Sequence, residues 1–387
     1  MSESLHAELG HLLSHAIAER QRLRQLASQH EEARRVAPEL TQELAELGAF
    51  RLLVPQPLGG AEARPSGFVR LLEELARGDS ATAWCVMTGA TTGLLSAYMP
   101  KPGAEEIWQQ GTVTAGVFAP MGQATPVDGG YRVTGRWPFA SGCENATWWM
   151  AGARCITDSG TDLISVFFPP GDAVRHDTWS TLGLRGTGSH DIELTDVFVP
   201  ERRVARVLAS EPRYDAPLFS FPLFGLLAAG VAAVGLGIGR AALDDFKRYV
   251  TQKRLPGGRR ASSQGHLQLE FARAEGELEA GRALLYQTCD QLYAEALKLD
   301  STRQEKLISP VKRAHLRLAA NQAVRGAVRA VDALHEAAGG AAVYTRSPFE
   351  KHLRDIHTLT QHVMVQAGTL RHVGAVLLDE DVDSSQL

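Results

Sequence analysis

Apolar side chains recur at helical spacing through the first hundred residues of the chain. The opening stretch "LHAELGHLLSHAIA" places them at i, i+3 and i+4, and the pattern continues to residue 53. It returns over residues 67–77 and 81–98, after the turn-rich segment "PQPLGGAEARPSG". We therefore predict an N-terminal α-helical domain over residues 1–112.

The pattern then changes to short runs rich in Val, Thr, Phe and Trp, separated by Gly, Pro and Asp. These runs are "TVTAGVFAP", "GGYRVTGRWPFA", "TWWMAGARC", "LISVFFP" and "HDIELTDVFVP". β-branched and aromatic residues between turn signals are typical of strands. We predict a middle β-barrel, or a small antiparallel sheet, over residues 113–215.

Helical spacing resumes in the last part of the chain, over residues 226–250, 264–299, 306–338 and 352–378. Long helices with short connections predict an up-and-down four-helix bundle, which we assign to residues 216–387. The apolar run 226–238 contains three glycines and is too short for a membrane span, so it predicts a buried helix. Its glycines do not complete a GxGxxG motif, because Arg240 replaces the third glycine, so no nicotinamide site is visible.

Composition limits the class of partner. The chain has 40 Lys and Arg against 44 Asp and Glu, a formal net charge of -4, and no long block of one sign. Nucleic acid and membrane are therefore not expected as partners, and a small-molecule ligand is expected instead. Four scattered cysteines without a CxxC pair, and no signal peptide, predict a cytoplasmic protein without disulfides or structural zinc.

One short segment concentrates aromatic residues. The stretch "RWPFASGCENATWW", residues 136–149, contains three of the six tryptophans and few polar side chains. An aromatic wall with a few placed polar groups is what a ligand pocket that excludes water requires. A sheet strand whose tryptophans fill the core is the structural alternative.

Four stretches, in this order, resemble the acyl-CoA dehydrogenase superfamily over nearly the whole chain: "DGGYRVTGRWPFASG", "LGLRGTGSHDIELTDVFVPERR", "YVTQKRLPGGRRASSQGHLQ" and "GGAAVYTRSPFEKHLRD". The resemblance implies an α+β fold with an N-terminal helical domain, a middle β-barrel and a C-terminal four-helix bundle. Within the superfamily the chain is similar to the group D flavin-dependent monooxygenases.

The choice between dehydrogenase and monooxygenase rests on a missing carboxylate. A dehydrogenase needs a glutamate base beside the flavin. The family's positions for that base fall on Val363, Ala367 or Leu223, and none is acidic. His362 stands there instead, seven residues and therefore two helical turns after Asp355, on the same face. The resemblance implies that this histidine faces the substrate and takes a proton from it, whereas a histidine in a helix interface is the plainer interpretation.

The resemblance also implies the remaining site residues. Ser141 and Asn145 would join His362 as catalytic groups, and Trp84 would line the substrate cavity with them. Flavin contacts would come from Trp137, Phe139, Ala140, Ser141, Arg185, Arg254 and Gln264. Arg254 would bind the flavin phosphate, although the other cations of its loop leave open that it is only surface charge.

The resemblance implies reduced flavin as cofactor, delivered by a separate reductase, with O2 as co-substrate and a homotetramer as the assembly. Glu336 stands three residues before a Gly-Gly pair, where relatives that hold FAD carry Gln, so FMN is favoured over FAD. Two alternatives remain: an acyl-CoA dehydrogenase with a displaced base such as Glu144, and a flavin-binding protein without catalytic activity.

Overall fold

The computed structural model of the protein describes residues 2–157, 160–299, 308–383 and 387. Its first part is helical, as the spacing predicts, and the predicted boundary at residue 112 falls between the last of these helices and the first strand. The helices are α1 (Ser2–Ala18), α2 (Arg20–Ala33), α3 (Pro38–Glu46), α4 (Pro65–Gly78), α5 (Ser80–Gly93) and α6 (Lys101–Ile107).

Helix α5 begins at a buried cap, Asp79. Its carboxylate accepts hydrogen bonds from the backbone N–H of Thr82 at 3.0 Å and from the Thr82 hydroxyl at 2.7 Å. The same carboxylate lies 2.9 Å from Nδ1 of the buried His30 on α2. Burial opposes ionisation, but the His30 contact and the nearby Lys351 charge outweigh it and lower the pKa of Asp79 to about 2. The cap thus fixes α5 against α2.

The middle of the chain forms a seven-stranded sheet in the order β5-β6-β2-β1-β3-β4-β7. Neighbouring strands are antiparallel, except that β1 and β3 are parallel. In the described residues the sheet has two edges, β5 and β7, so the predicted barrel is an open sheet. The strands are β1 (Thr114–Val127), β2 (Gly130–Ala140), β3 (Trp148–Thr157), β4 (Gly160–Phe168), β5 (Val174–His176), β6 (His190–Pro200) and β7 (Val204–Ala205).

Strand β2 directs Trp137 into the interior of the sheet domain. The Trp137 side chain is 0% exposed, and its indole N–H donates to the carbonyl of Gly152 at 2.7 Å. A Cβ on Gly122 would come within 2.2 Å of the indole, so that strand needs glycine there. The register with β6 shifts between Trp137 and Ala140, which leaves Phe139 outward with a φ of 68°.

The C-terminal part is helical again. It contains α7 (Pro217–Ser220), α8 (Leu223–Gln252), α9 (Gly265–Ala296), α10 (Pro310–Ala338), α11 (Pro348–Leu359) and α12 (Gly368–Leu377). Among the described residues α8 is the one helix long and apolar enough for a membrane, but 94% of its most apolar window is buried within the protein. Close packing explains its glycines, since a Cβ on Gly237 would lie 2.4 Å from that of Ala76. The predicted start of α10 at residues 306–307 lies outside the described residues.

The helix predicted over residues 352–378 is wrong in one respect, because it is two helices. Helix α11 ends at Leu359, and α12 begins at Gly368. The residues between them, 360–367, form a turn in which the His362 N–H donates to the Leu359 carbonyl at 3.0 Å. His362 therefore does not follow Asp355 along one helix face, and its direction is set by this turn.

All four cysteines are free and buried: Cys85, Cys143, Cys155 and Cys289. Burial raises the pKa of every one of these thiols, to about 12 for Cys143 and Cys289. The thiols are therefore protonated at neutral pH.

Candidate active site

A line of hydrogen-bonded side chains crosses from α5 to the loop before β6. The Trp84 indole N–H donates to the Ser141 hydroxyl at 3.0 Å, and Ser141 lies 2.7 Å from the Ser189 hydroxyl. Ser189 in turn lies 2.7 Å from Thr187, which donates to the Leu184 carbonyl at 2.9 Å. Because each hydroxyl has one proton, the line has one direction, from the indole to the carbonyl. The Ser141 hydroxyl therefore donates its proton to Ser189.

His362 lies beside this line. Its ring contacts Trp84 edge to face, with ring centroids 5.4 Å apart. The backbone N–H of Met364 donates to Nδ1 of His362 at 3.3 Å, so the proton of the neutral ring is on Nε2. Burial and the positive charge of Arg317 lower the pKa of His362 to about 4. At neutral pH the ring is therefore uncharged, its Nδ1 accepts from the Met364 N–H and its Nε2 carries the proton. The role of proton acceptor stays a prediction, and in this arrangement the ring offers a hydrogen-bond donor.

The loop before β6 is anchored on α11 by Asp355. Its carboxylate accepts the backbone N–H of Leu184 at 2.7 Å and the Ser80 hydroxyl at 2.6 Å, and it pairs with Lys351. A Cβ on Gly183 would lie 2.3 Å from the Arg354 carbonyl, so the loop approaches the helix backbone closely. Arg185 is on the outer side of this loop, exposed, with its guanidinium bonded to the Thr181 carbonyl at 2.9 Å.

Phe139 and its neighbours supply an outward aromatic surface. The Phe139 side chain is 66% exposed and meets Trp179 edge to face, with centroids 6.1 Å apart. Leu182, on the loop that follows Trp179, is 62% exposed. A bulky residue with positive φ is strained, and the bulge of β2 imposes that strain to turn the ring outward. The surface can cover one face of a flat ring.

The structure places the side chains of three predicted site residues away from this surface. The Trp137 and Ala140 side chains are both fully buried within the sheet domain, so neither lines a flavin, whereas a contact through the Ala140 backbone stays a prediction. Asn145 faces the opposite way: its carboxamide accepts from Arg35 at 2.6 Å and donates to the Val36 carbonyl at 2.8 Å. Asn145 therefore fastens the connection between α2 and α3 to the sheet domain, instead of contacting His362.

No carboxylate replaces the missing base at the positions considered above. Val363 and Ala367 lie in the turn that carries His362, and Leu223 begins α8. Glu144, the acid of the aromatic segment, is 3.4 Å from Arg175 and 3.6 Å from His190. The charge that acts on His362 is the Arg317 guanidinium. The alternative of a dehydrogenase with Glu144 as displaced base therefore has no support.

Arg254 and Gln264 lie at the other end of the molecule. Arg317, near His362, contacts the Phe224 carbonyl in the first turn of α8, whereas Arg254 follows the last turn. At 1.5 Å per residue the helix between them is about 40 Å long. Within one chain the structure therefore brings together Trp84, Ser141 and His362, but not the predicted phosphate contacts.

The ends of α8 and α10 meet near Arg254. The Tyr249 hydroxyl contacts the carbonyl of Ala338 at 3.4 Å, two residues after the exposed Glu336. Arg254 is itself exposed, in a hairpin bridged to Arg260, and forms no ion pair with the residues that the structure describes. An anionic group therefore finds a free guanidinium and a carboxylate at this end of the bundle.

Two residues that hold the His362 turn were not predicted from the sequence. Arg317 and Asn321 are buried on the inward face of α10, in "HLRLAANQAV". Polar residues at i and i+4 on an otherwise apolar helix face are the signal that could have found them.

The described residues fit a flavin in two parts. The outward aromatic surface at Phe139 and the buried hydroxyls beside it suit the ring system, and the exposed Arg254 suits a phosphate. The two parts lie at opposite ends of α8, so a flavin at the aromatic surface would not reach Arg254 of the same chain.

Comparisons with known proteins identify the family. The chain belongs to the acyl-CoA dehydrogenase family: residues 15–123 match its N-terminal domain and residues 229–367 its C-terminal domain. Within the family it is a flavin-dependent monooxygenase, the oxygenase component of a two-component system, which confirms the resemblance seen in the sequence.

Three relatives support that assignment. Indole-3-acetate monooxygenase of Acinetobacter baumannii is 30% identical over 93% of this chain and 92% of its own length. The oxygenase component of the FADH2-dependent resorcinol hydroxylase of a Rhizobium species is 30% identical over 88% of this chain and 87% of its own. The crystal structure of 3-HSA hydroxylase from Rhodococcus sp. RHA1 superposes with a TM-score of 0.88 at 25% identity, covering 98% and 99% of the two chains.

Proposed function

We propose that this oxygenase hydroxylates a small aromatic compound that carries a phenolic hydroxyl or a ring nitrogen. The observation that carries the proposal is the meeting of Trp84, Ser141 and His362, where a dehydrogenase would need a carboxylate. The two 30%-identical relatives described above are named for aromatic substrates, an indole and a resorcinol. A substrate ring here would find an aromatic wall and one imidazole for its polar group.

The side chains of this site position the substrate and exclude water. Trp84 is held by its bond to Ser141, so its indole keeps a fixed edge-to-face contact with the His362 ring. Reduced flavin, when bound, supplies the two electrons that activate O2. One oxygen atom enters the new C–O bond and the other leaves as water. The buried hydroxyls beside the site are bonded to one another, so they hold no free proton to divert the reaction.

We propose reduced FMN as the preferred flavin, because the exposed Glu336 carboxylate lies at the end of α10 near Arg254. An acid there repels the additional phosphate of FAD. Glu336→Gln should strengthen binding of reduced FAD by about fivefold and leave binding of reduced FMN unchanged. Anaerobic titrations of both flavins measure this, with the equally exposed Asp379→Asn as control. Equal gains for FMN and FAD would show that Glu336 does not discriminate between them.

We also propose a homotetramer in the cytoplasm, served by a separate flavin reductase. The separation of about 40 Å between the His362 turn and Arg254 supports an assembly, because a flavin is shorter than that span. Arg254 of one chain would then serve the flavin of a neighbour. The four buried, free thiols are consistent with a reducing compartment.

The test of the function supplies reduced FMN from an unrelated reductase in the presence of a panel of phenols and indoles. The expected result is O2-dependent formation of a product one oxygen atom heavier than the substrate, with the label retained when isotopically enriched O2 is used. Oxidation of an acyl-CoA with a dye acceptor, without any oxygenated product, would overturn the proposal.

A further inference from the structure

The turn that carries His362, residues 360–367, is held by side chains from α10. Arg317 donates to the carbonyl of Met364 at 3.2 Å and to that of Phe224 at 3.1 Å, and it contacts the Met364 sulfur at 3.4 Å. Asn321, one helical turn later, donates to the carbonyl of Val365 at 2.8 Å. Two consecutive carbonyls of the turn are thus fixed from one helix, and α8 is joined to them through Phe224.

This arrangement costs stability. Arg317 is 5% exposed, and burial lowers the pKa of its guanidinium to about 10. Asn321 is 0% exposed, and its Oδ1 accepts no hydrogen bond from the residues that the structure describes. Apolar side chains at both positions would pack on α10 without these penalties. The hydrogen bonds that these two residues give to the turn are what this burial provides.

The effect on the turn is to fix the chemistry of His362. The Met364 N–H, which donates to Nδ1 of His362, lies between the Met364 carbonyl held by Arg317 and the Val363 carbonyl, which accepts from the Thr369 hydroxyl at 3.3 Å. Among the described residues, the groups that the structure shows against the ring are this N–H, the indole of Trp84 from α5 and the charge of Arg317 from α10. The N–H requires an unprotonated Nδ1, and the guanidinium disfavours a second proton on the ring.

We propose that Arg317 and Asn321 are positioning residues that make His362 a hydrogen-bond donor through Nε2–H, in place of a base. The inference rests on the proposed function for its substrate, and it narrows that substrate to one that presents an acceptor: a phenolate or carboxylate oxygen, or a ring nitrogen lone pair. A phenol would release its proton to bulk solvent on binding and enter as the phenolate, and the Nε2–H would stabilise that oxyanion.

The first test needs neither flavin nor substrate. In enzyme labelled with 15N-histidine, assigned by comparison with His362→Gln, the His362 resonances should show a protonated Nε2 and an unprotonated Nδ1, with titration near pH 4. Arg317→Gln should raise that midpoint by about one unit, and Arg317→Lys, which keeps the charge, should not. Asn321→Asp, which replaces the donor by an acceptor, should mix the two tautomers. A wild-type ring protonated on Nδ1, or a midpoint unmoved in Arg317→Gln, would overturn the proposal.

The second test uses turnover. Asn321→Asp should lower kcat by about tenfold to 100-fold with little change in KM, because a misplaced donor loses orientation. His362→Gln, which keeps an N–H but cannot act as a base, should retain at least about tenfold more activity than His362→Ala. The matched control is Asp332→Asn on the same helix, whose carboxylate contacts His357 at 2.8 Å and not the turn. Glutamine no better than alanine would contradict the donor role.

The outcomes separate this inference from the proposed function. If no aromatic substrate is hydroxylated while the tautomer and its dependence on Arg317 are as expected, the function fails and the positioning stands. If hydroxylation occurs while the His362 ring has the opposite tautomer, the proposed function stands and the positioning inference fails. If Arg317→Gln does not fold, the proposal is still tested by the tautomer of the wild-type ring and by the isosteric variant Asn321→Asp.

Discussion

His362→Ala should lose at least about 100-fold in hydroxylation while oxidation of reduced flavin by O2 continues. The physical reason is the loss of one oriented imidazole N–H, since removing a single donor that stabilises an oxyanion costs about 100-fold to 1,000-fold in rate. The Trp84 wall and the Ser141 line remain in this variant, so flavin binding should be little changed. The measurement is the ratio of hydroxylated product to O2 consumed, with reduced flavin supplied by an unrelated reductase.

The control for this variant is His357→Ala. His357 belongs to the same part of the chain, but its Nε2 contacts Asp332 on the surface. It should keep product formation within about twofold of the wild type, since exposed pairs of this kind contribute little. Equal losses in both variants would mean that the effect is a general disturbance of α11 and not the chemistry of one ring.

Asp355→Asn should lower the free energy of unfolding by about 3–5 kcal/mol. The substitution leaves the buried Lys351 ammonium without its partner and weakens the bonds to Ser80 and the Leu184 N–H. Urea denaturation followed by fluorescence measures the loss. Because Leu184 also ends the line that begins at Trp84, coupled hydroxylation should fall with the stability.

The pH dependence of this anchor has a definite sign. Burial opposes ionisation of Asp355, but the Lys351 charge and the hydrogen bonds outweigh it, so the pKa is lowered. A lowered carboxyl pKa contributes stability above the ordinary value, and that contribution disappears as the pH falls through the folded-state value. The difference in stability between wild type and Asp355→Asn should therefore shrink on acidification. A difference that stays constant down to pH 3 would contradict the ion-pair explanation.

Much of the fold could be predicted from spacing alone. The helices of the first domain and α8, α9 and α10 all show continuous apolar faces, and the glycines of α8 are explained by close contacts such as that of Gly237 with Ala76. The order of helices, strands and helices then fits one superfamily. The spacing did not indicate whether the sheet is open or closed into a barrel, because the pairing of edge strands depends on contacts between distant segments.

The errors at the site have specific causes. The segment 352–378 has no proline and no early glycine, so its spacing predicts one helix. Hydrogen bonds from the side chains of Arg317 and Asn321 instead hold its middle as a turn. Trp137 was assigned to the flavin although the alternation of β2 places it inward with Val133. The tautomer of His362 depends on one backbone N–H, which no sequence pattern specifies.

The buried thiols have a consequence for the working life of the enzyme. An oxygenase that loses coupling between flavin oxidation and product formation releases hydrogen peroxide, which attacks cysteine mainly as the thiolate. Burial keeps Cys85, Cys143 and Cys289 protonated and shielded, so such leakage should damage exposed methionines such as Met121 before it reaches sulfur in the core. Burial of these thiols therefore protects the core from peroxide that the enzyme itself releases in uncoupled turnover.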